Sequence, residues 1–77
     1  MLKKINMLRP KTTANIVGIN IKLIRKKNGL IQKQVGGNKI PASIISRIEN
    51  GKFIPKVSML ETICKALGCK SSDILPF

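Results

Sequence analysis

Fifteen Lys and Arg, three acids (Glu49, Glu61, Asp73) and no His set the chemistry this 77-residue chain can do. General acid–base work needs a group that titrates near neutrality, and nucleophilic catalysis needs a base beside the nucleophile. Neither constellation can be assembled here, and no Gly-rich phosphate loop is present, so enzymatic activity is not expected. What remains is the pairing of cations with an anion. A net charge of +12 repels itself unless a polyanion lies nearby. Nucleic acid is the first candidate, an anionic membrane surface the second, and a solvated basic surface kept for solubility the third.

One run concentrates groups that could read an anion with geometry: Ile44-Ile45-Ser46-Arg47-Ile48-Glu49-Asn50-Gly51. Arg47 carries a planar fork able to donate two parallel hydrogen bonds to guanine O6 and N7. Ser43 and Ser46 are small hydrogen-bonding neighbours, whereas Ala42 and Ile44 could read only thymine methyls or shape. Cys64 and Cys69, without His, cannot build a four-ligand zinc site, so no metal or cofactor is expected. They are read as free thiols at the edge of a core, in preference to a redox switch.

The elements that must position these residues are short helices. From Thr13 to Asn28, Val17, Ile21 and Ile24 give a helical stripe, although Val17, Ile19, Ile21 and Leu23 also alternate as a strand would. Cations in Arg25-Lys26-Lys27 followed by Asn28-Gly29 form a helix-stop signal and decide for helix. Ile19 and Leu23 then lie off the core face as an exposed apolar pair. Gln32 to Asn38 reads as a second helix, and Pro41 to Asn50 as a third, with Pro41 at the first helical position and Ile45 and Ile48 inward. Ala42, Ser43, Ile44, Ser46 and Arg47 are left facing outward. Val57, Leu60, Ile63, Cys64 and Leu67 stripe a fourth helix ended by Gly68, which begins near Val57 or, if Ser58 and Glu61 form a capping box, at Ser58. Ser71 or Ser72 caps a final turn through Leu75. The expectation is an all-α domain of five short helices over residues 13–77, preceded by a flexible basic arm at 1–12. With no signal-peptide pattern and no long apolar run, a cytoplasmic location is expected.

These residues resemble the Cro and phage-repressor class of helix-turn-helix proteins, also called Xre-like or lambda-repressor-like. The resemblance rests on Arg25 and Gly29-Leu30 ahead of Gln32, on Ile40-Pro41-Ala42-Ser43, and on Ile45 through Gly51. Pro55 and Lys65-Ala66-Leu67-Gly68 complete it, so that it covers roughly Val17 to Leu75. It implies that Gln32 braces phosphate and the recognition helix, that Ala42, Ser43 and Arg47 meet base edges, and that Ile44 and Ser46 sit where further groove contacts occur. It also implies that Arg25 and Glu49 form an internal ion pair. The Asn50 backbone with Lys52, Lys56, Lys39 and Lys33 are then candidates for phosphate. Two departures stand out. Between Gln32 and Ile45 one residue is missing near Gly37-Asn38-Lys39, where the pattern places a Leu, and Ile31 replaces the usual capping Thr or Ser. Either the turn is tighter than usual or the third helix is tilted.

The function that follows is a sequence-specific regulator of transcription, in the repressor sense, bound as a dimer to double-stranded DNA. The alternative is an antitoxin or phage accessory protein that binds a protein partner first and DNA second. Ile19, Leu23, Phe53, Ile54 and Ile74 through Phe77 are surplus apolar residues that could form a homodimer seam, a partner surface or local packing, with the seam preferred.

Overall fold

The computed structural model describes residues 12–76. Four α-helices follow one another: α1 Thr13–Lys27, α2 Gln32–Gly36, α3 Ala42–Glu49 and α4 Val57–Leu67, with a single 3₁₀ turn at Ser71–Asp73. The fold is therefore all-α, and the fifth helix of the sequence reading is only that 3₁₀ turn. Apart from Thr12, the expected N-terminal arm lies outside the described residues, as does Phe77.

Helix α1 starts where Thr12 accepts a hydrogen bond from the Asn15 amide through its side-chain oxygen (3.1 Å), filling one of the orphan donors of a helix start. It ends where Arg25, Lys26 and Lys27 place cations in the last turn and Gly29 reverses the chain at φ +68°. Val17 and Ile21 are buried with Ile24 packed beside them, so the helical stripe prevails over the strand-like alternation. Ile19 and Leu23 are exposed, as expected.

Helix α2 ends two residues earlier than Asn38, because Gly37 at φ +58° and ψ −135° cannot continue a helix. The Lys39 and Ile40 amides both donate to the Gly36 carbonyl at 3.1 Å, closing a short turn that drops Ile40 into the core at 3% exposure. The missing residue is thus absorbed in α2 itself. Ile31 offers its helix no side-chain acceptor. Instead the Gln34 side chain accepts from the Ile31 amide at 2.8 Å, which is half of a capping box.

Pro41 stands one place outside α3, as its N-cap at ψ 147°, and α4 begins at Val57 with no side-chain cap, so Ser58 and Glu61 form no capping box. Val17, Ile21, Val35, Ile40, Ile45, Ile48, Ile63, Leu67 and Ile74 make one core. Burial of each such side chain contributes about 1.5–3 kcal/mol. Two Asn amides tie α1 to the far end of the chain: Asn20 donates to the Ile74 carbonyl (2.8 Å) and Asn28 to the Leu67 carbonyl (2.9 Å). Ile74 is fully buried, and Phe53 and Leu75 pack against the core. These three leave the set of surplus apolar residues, while Val57, 81% exposed, and Ile31 join it.

A close approach of two elements runs through Gly18. A methyl group there would collide with the carbonyl oxygens of Ile48 and Glu49, so α1 can lie on the end of α3 only because residue 18 has no side chain. Gly18→Ala should destabilise the domain by about 3 kcal/mol in urea unfolding, as overpacking does in its upper range. Gly29→Ala meets no atom within 4 Å and should cost only about 1 kcal/mol, the strain of a left-handed alanine.

Candidate nucleic-acid interface

Helix α3 has two opposed stripes. Ile45, Ile48 and Glu49 are buried, while Ser43, Arg47 and Asn50 are exposed and Ser46 between them is half-buried. Positions 43, 46, 47 and 50 recur at i, i+3, i+4 and i+7, so they form one ridge along the outer face. Ala42 is half-buried. Ile44, expected to face outward, is half-buried and packs against the core, because the flank of α3 at this position faces the protein as much as solvent.

The ridge is held at its C-terminal end by a buried network. Arg25 donates from Nε to Glu49 Oε2 at 2.6 Å and from Nη2 to Glu49 Oε1 at 3.0 Å. Its Nη1 donates to the Leu30 carbonyl at 2.9 Å, and Gln32 Nε2 donates to Glu49 Oε1 at 3.0 Å. The expected Arg25–Glu49 ion pair is therefore present, bidentate, and deep: the two side chains are 12% and 2% exposed. Its hydrogen bond to Glu49 holds the Arg25 guanidinium above its usual pKa, against the opposing pull of burial. Gln32 turns its amide inward to Glu49, so one carboxylate joins α1, α2 and α3.

Glu49 is the one acid between Thr12 and Leu60, and its charge is sunk and neutralised. The ridge itself carries no exposed acid, and Lys33, Lys39, Arg47, Lys52 and Lys56 are all exposed, with the exposed Glu61 of α4 lining a cleft beside Lys39. No side chain caps α3, and the Pro41 carbonyl takes the Ile44 and Ile45 amides (3.0 and 3.1 Å), which leaves the amides of Ala42 and Ser43 to meet an anion. At its other end the Asn50 and Lys52 amides donate to the Ser46 and Arg47 carbonyls (3.0 and 2.8 Å), and Gly51 at φ +74° packs on Asn15. Sequence reasoning missed the contacts of Gly18 and Asn15 with the end of α3. A Gly beside Val17 in an apolar stripe was the available signal for the first; the second has none.

The geometry is that of a helix-turn-helix DNA-binding domain, in which a short brace helix and its turn present a second helix to a duplex. A family model described as Helix-turn-helix matches residues 21–74, and the chain belongs to that family, one of DNA-binding regulators of transcription and not of enzymes. The crystal structure of the clp gene regulator ClgR from C. glutamicum shares this fold. It superposes with a TM-score of 0.77 over 84% of this chain and 86% of that one, at 18% sequence identity. No curated protein sequence matches the chain. Among the described residues no helix is long and apolar enough to cross a membrane.

Removing the shared carboxylate leaves a guanidinium and an amide without their acceptor inside the protein. Glu49→Ala should cost about 3 kcal/mol or more in urea unfolding. Gln32→Ala, which removes one hydrogen bond to a charged group, should cost about 1–2 kcal/mol.

Proposed function

We propose that this chain is a transcriptional repressor that binds a specific double-stranded DNA sequence as a homodimer, with α3 in the major groove. The observation that carries this reading is the exposed polar ridge of α3, fixed by Glu49, free of acids along its own length and flanked by cations. Arg47 is the leading specificity residue, by bidentate donation to guanine, with Ser43 and Ser46 as shorter-range readers. Ala42 and the outer edge of Ile44 contribute apolar contact to thymine methyls. The side chains of Asn50, Lys33, Lys39, Lys52 and Lys56 take phosphates, which position the protein without reading sequence, the Asn50 backbone amide being engaged by the Ser46 carbonyl. Gln32 serves as a brace, its amide holding the recognition helix through Glu49. Dimerisation sets two copies of α3 about 34 Å apart on one face of the duplex. Leu23, Ile54 and Val57 are apolar and more than half exposed, and they supply candidates for its seam.

The same three side chains favour a second reading, in which they engage a different protein and DNA binding is subsidiary, as in an antitoxin. Light scattering separates the two: a dimer of the purified chain supports the first reading, a monomer that binds no palindrome supports the second.

Selection from a pool of random duplexes, repeated over a salt series, should enrich a palindrome with half-sites about ten base pairs apart. Arg47→Ala should weaken the selected site by about 1–3 kcal/mol and relax one base position. Lys52→Ala should weaken all sequences alike and lower the salt slope by about 1. Salt-sensitive binding with no enriched sequence would sink the proposal.

A further inference from the structure

Cys64 and Cys69 are five positions apart and would point in different directions along a continuous helix. The end of α4 brings them together. Gly68 takes a left-handed conformation (φ 69°, ψ 35°), and its amide and that of Cys69 both donate to the Cys64 carbonyl, the latter at 3.1 Å. This six-to-one closure sets the first and last side chains of the turn against each other over the helix end. Here both are thiols. Each is half-buried against the rim of the core, and neither is in a disulfide.

We propose that this pair is a binding site for a soft, two-coordinate d¹⁰ cation, with Cu(I) as the representative ion. Soft thiolates select soft cations, and two thiols carried on one closed turn, in a chain without His, suit an ion content with two ligands. They do not satisfy zinc, which asks for four. Binding is an exchange without redox change: one Cu(I) enters, two S–H bonds break, two S–Cu bonds form and two protons leave to solvent. Burial first, then the neighbouring Cys64 thiol and Asp73, push the Cys69 thiol up to about 11.

The position gives the ion something to do. Cys69 leads into the turn at Ser71–Asp73, and Ile74 beyond it is buried with its carbonyl held by Asn20. An ion across the two sulfurs cross-links the end of α4 to the segment that closes the core over α1.

The test is an anaerobic titration of the full chain against the coloured Cu(I)–bicinchoninate complex. The wild-type chain should withdraw one equivalent, gain an ultraviolet thiolate-to-copper band and melt at higher temperature. Cys64→Ser and Cys69→Ser should each lose at least tenfold in affinity, the double variant should withdraw none, and Met59→Leu should behave as wild type. The proposal fails if the wild-type chain leaves the probe untouched or binds without the thiolate band, which decides the matter even where a Ser variant does not fold. It fails equally if the double variant withdraws as much copper as the wild type, or if Met59→Leu abolishes withdrawal, since methionine would then be the ligand.

Discussion

The carboxylate of Glu49 is the constraint on which the rest of the structure depends. It is the last residue of α3, it is 5% exposed, and its two oxygens accept from Arg25 on α1 and Gln32 on α2. A buried charge of this kind contributes little net stability, because desolvation consumes most of the attraction. Its effect is on geometry. A bidentate guanidinium admits one approach of its partner, so the end of α3 can sit in one place relative to α1. The third nitrogen of the same guanidinium, on the Leu30 carbonyl, fixes the turn from which α2 departs. The angle of α3 within the domain is thus set by hydrogen bonds at its buried end, leaving its outer ridge free of structural duty.

That arrangement also resolves a conflict of charge. A protein that binds a polyanion gains from cations everywhere on the binding face, yet a core needs at least some directional polar contact to choose one packing. Here the one acid of the first sixty residues is spent inside, where it orders three helices, and the outer ridge of α3 carries none to repel phosphate. Gly18 completes the same design from the apolar side. The backbone of α1 comes close enough to the end of α3 that no side chain fits between them, which shortens the reach Arg25 must span.

Much of this was legible in the residues. The stripe Ile45 and Ile48 against Ser43 and Arg47 is a matter of period, and period survives tertiary packing when both faces are strongly marked. The Arg25–Glu49 pair was legible through the family resemblance, with which the rarity of acids in this chain agrees. Boundaries were less legible. The 3₁₀ turn at Ser71–Asp73 read as a helix because Ser caps and a following Pro mark ends without fixing length. Helix α2 read two residues too long since Gly37 looks like a weak helical residue until its positive φ is seen. Ile44 and Phe53 were placed outside because a residue on the flank of a short element can lean toward the core, and no periodicity records that lean. Ile74 was misjudged for a different reason: what buries it is a contact with Asn20, 54 positions away in sequence.

The economy of α2 follows from these constraints. Five residues make barely more than one turn, too few to be stable as an isolated helix, and two glycines at its end lower its propensity further. Yet α2 has only to carry Val35 into the core, let Gly36 pass close to Ile40 and Ile45, and aim Gln32 at Glu49. A methyl group on Gly36 would come within 3.2 Å of the Ile40 side chain, tight enough to push α2 away from α3. The sequence therefore gives up helix propensity at this point to gain a close approach, and the tertiary contacts of Val35 and Gln32 hold the turn in place of its own hydrogen-bond ladder. Removal of those contacts should unravel α2 before any other helix, and with it the turn that presents α3.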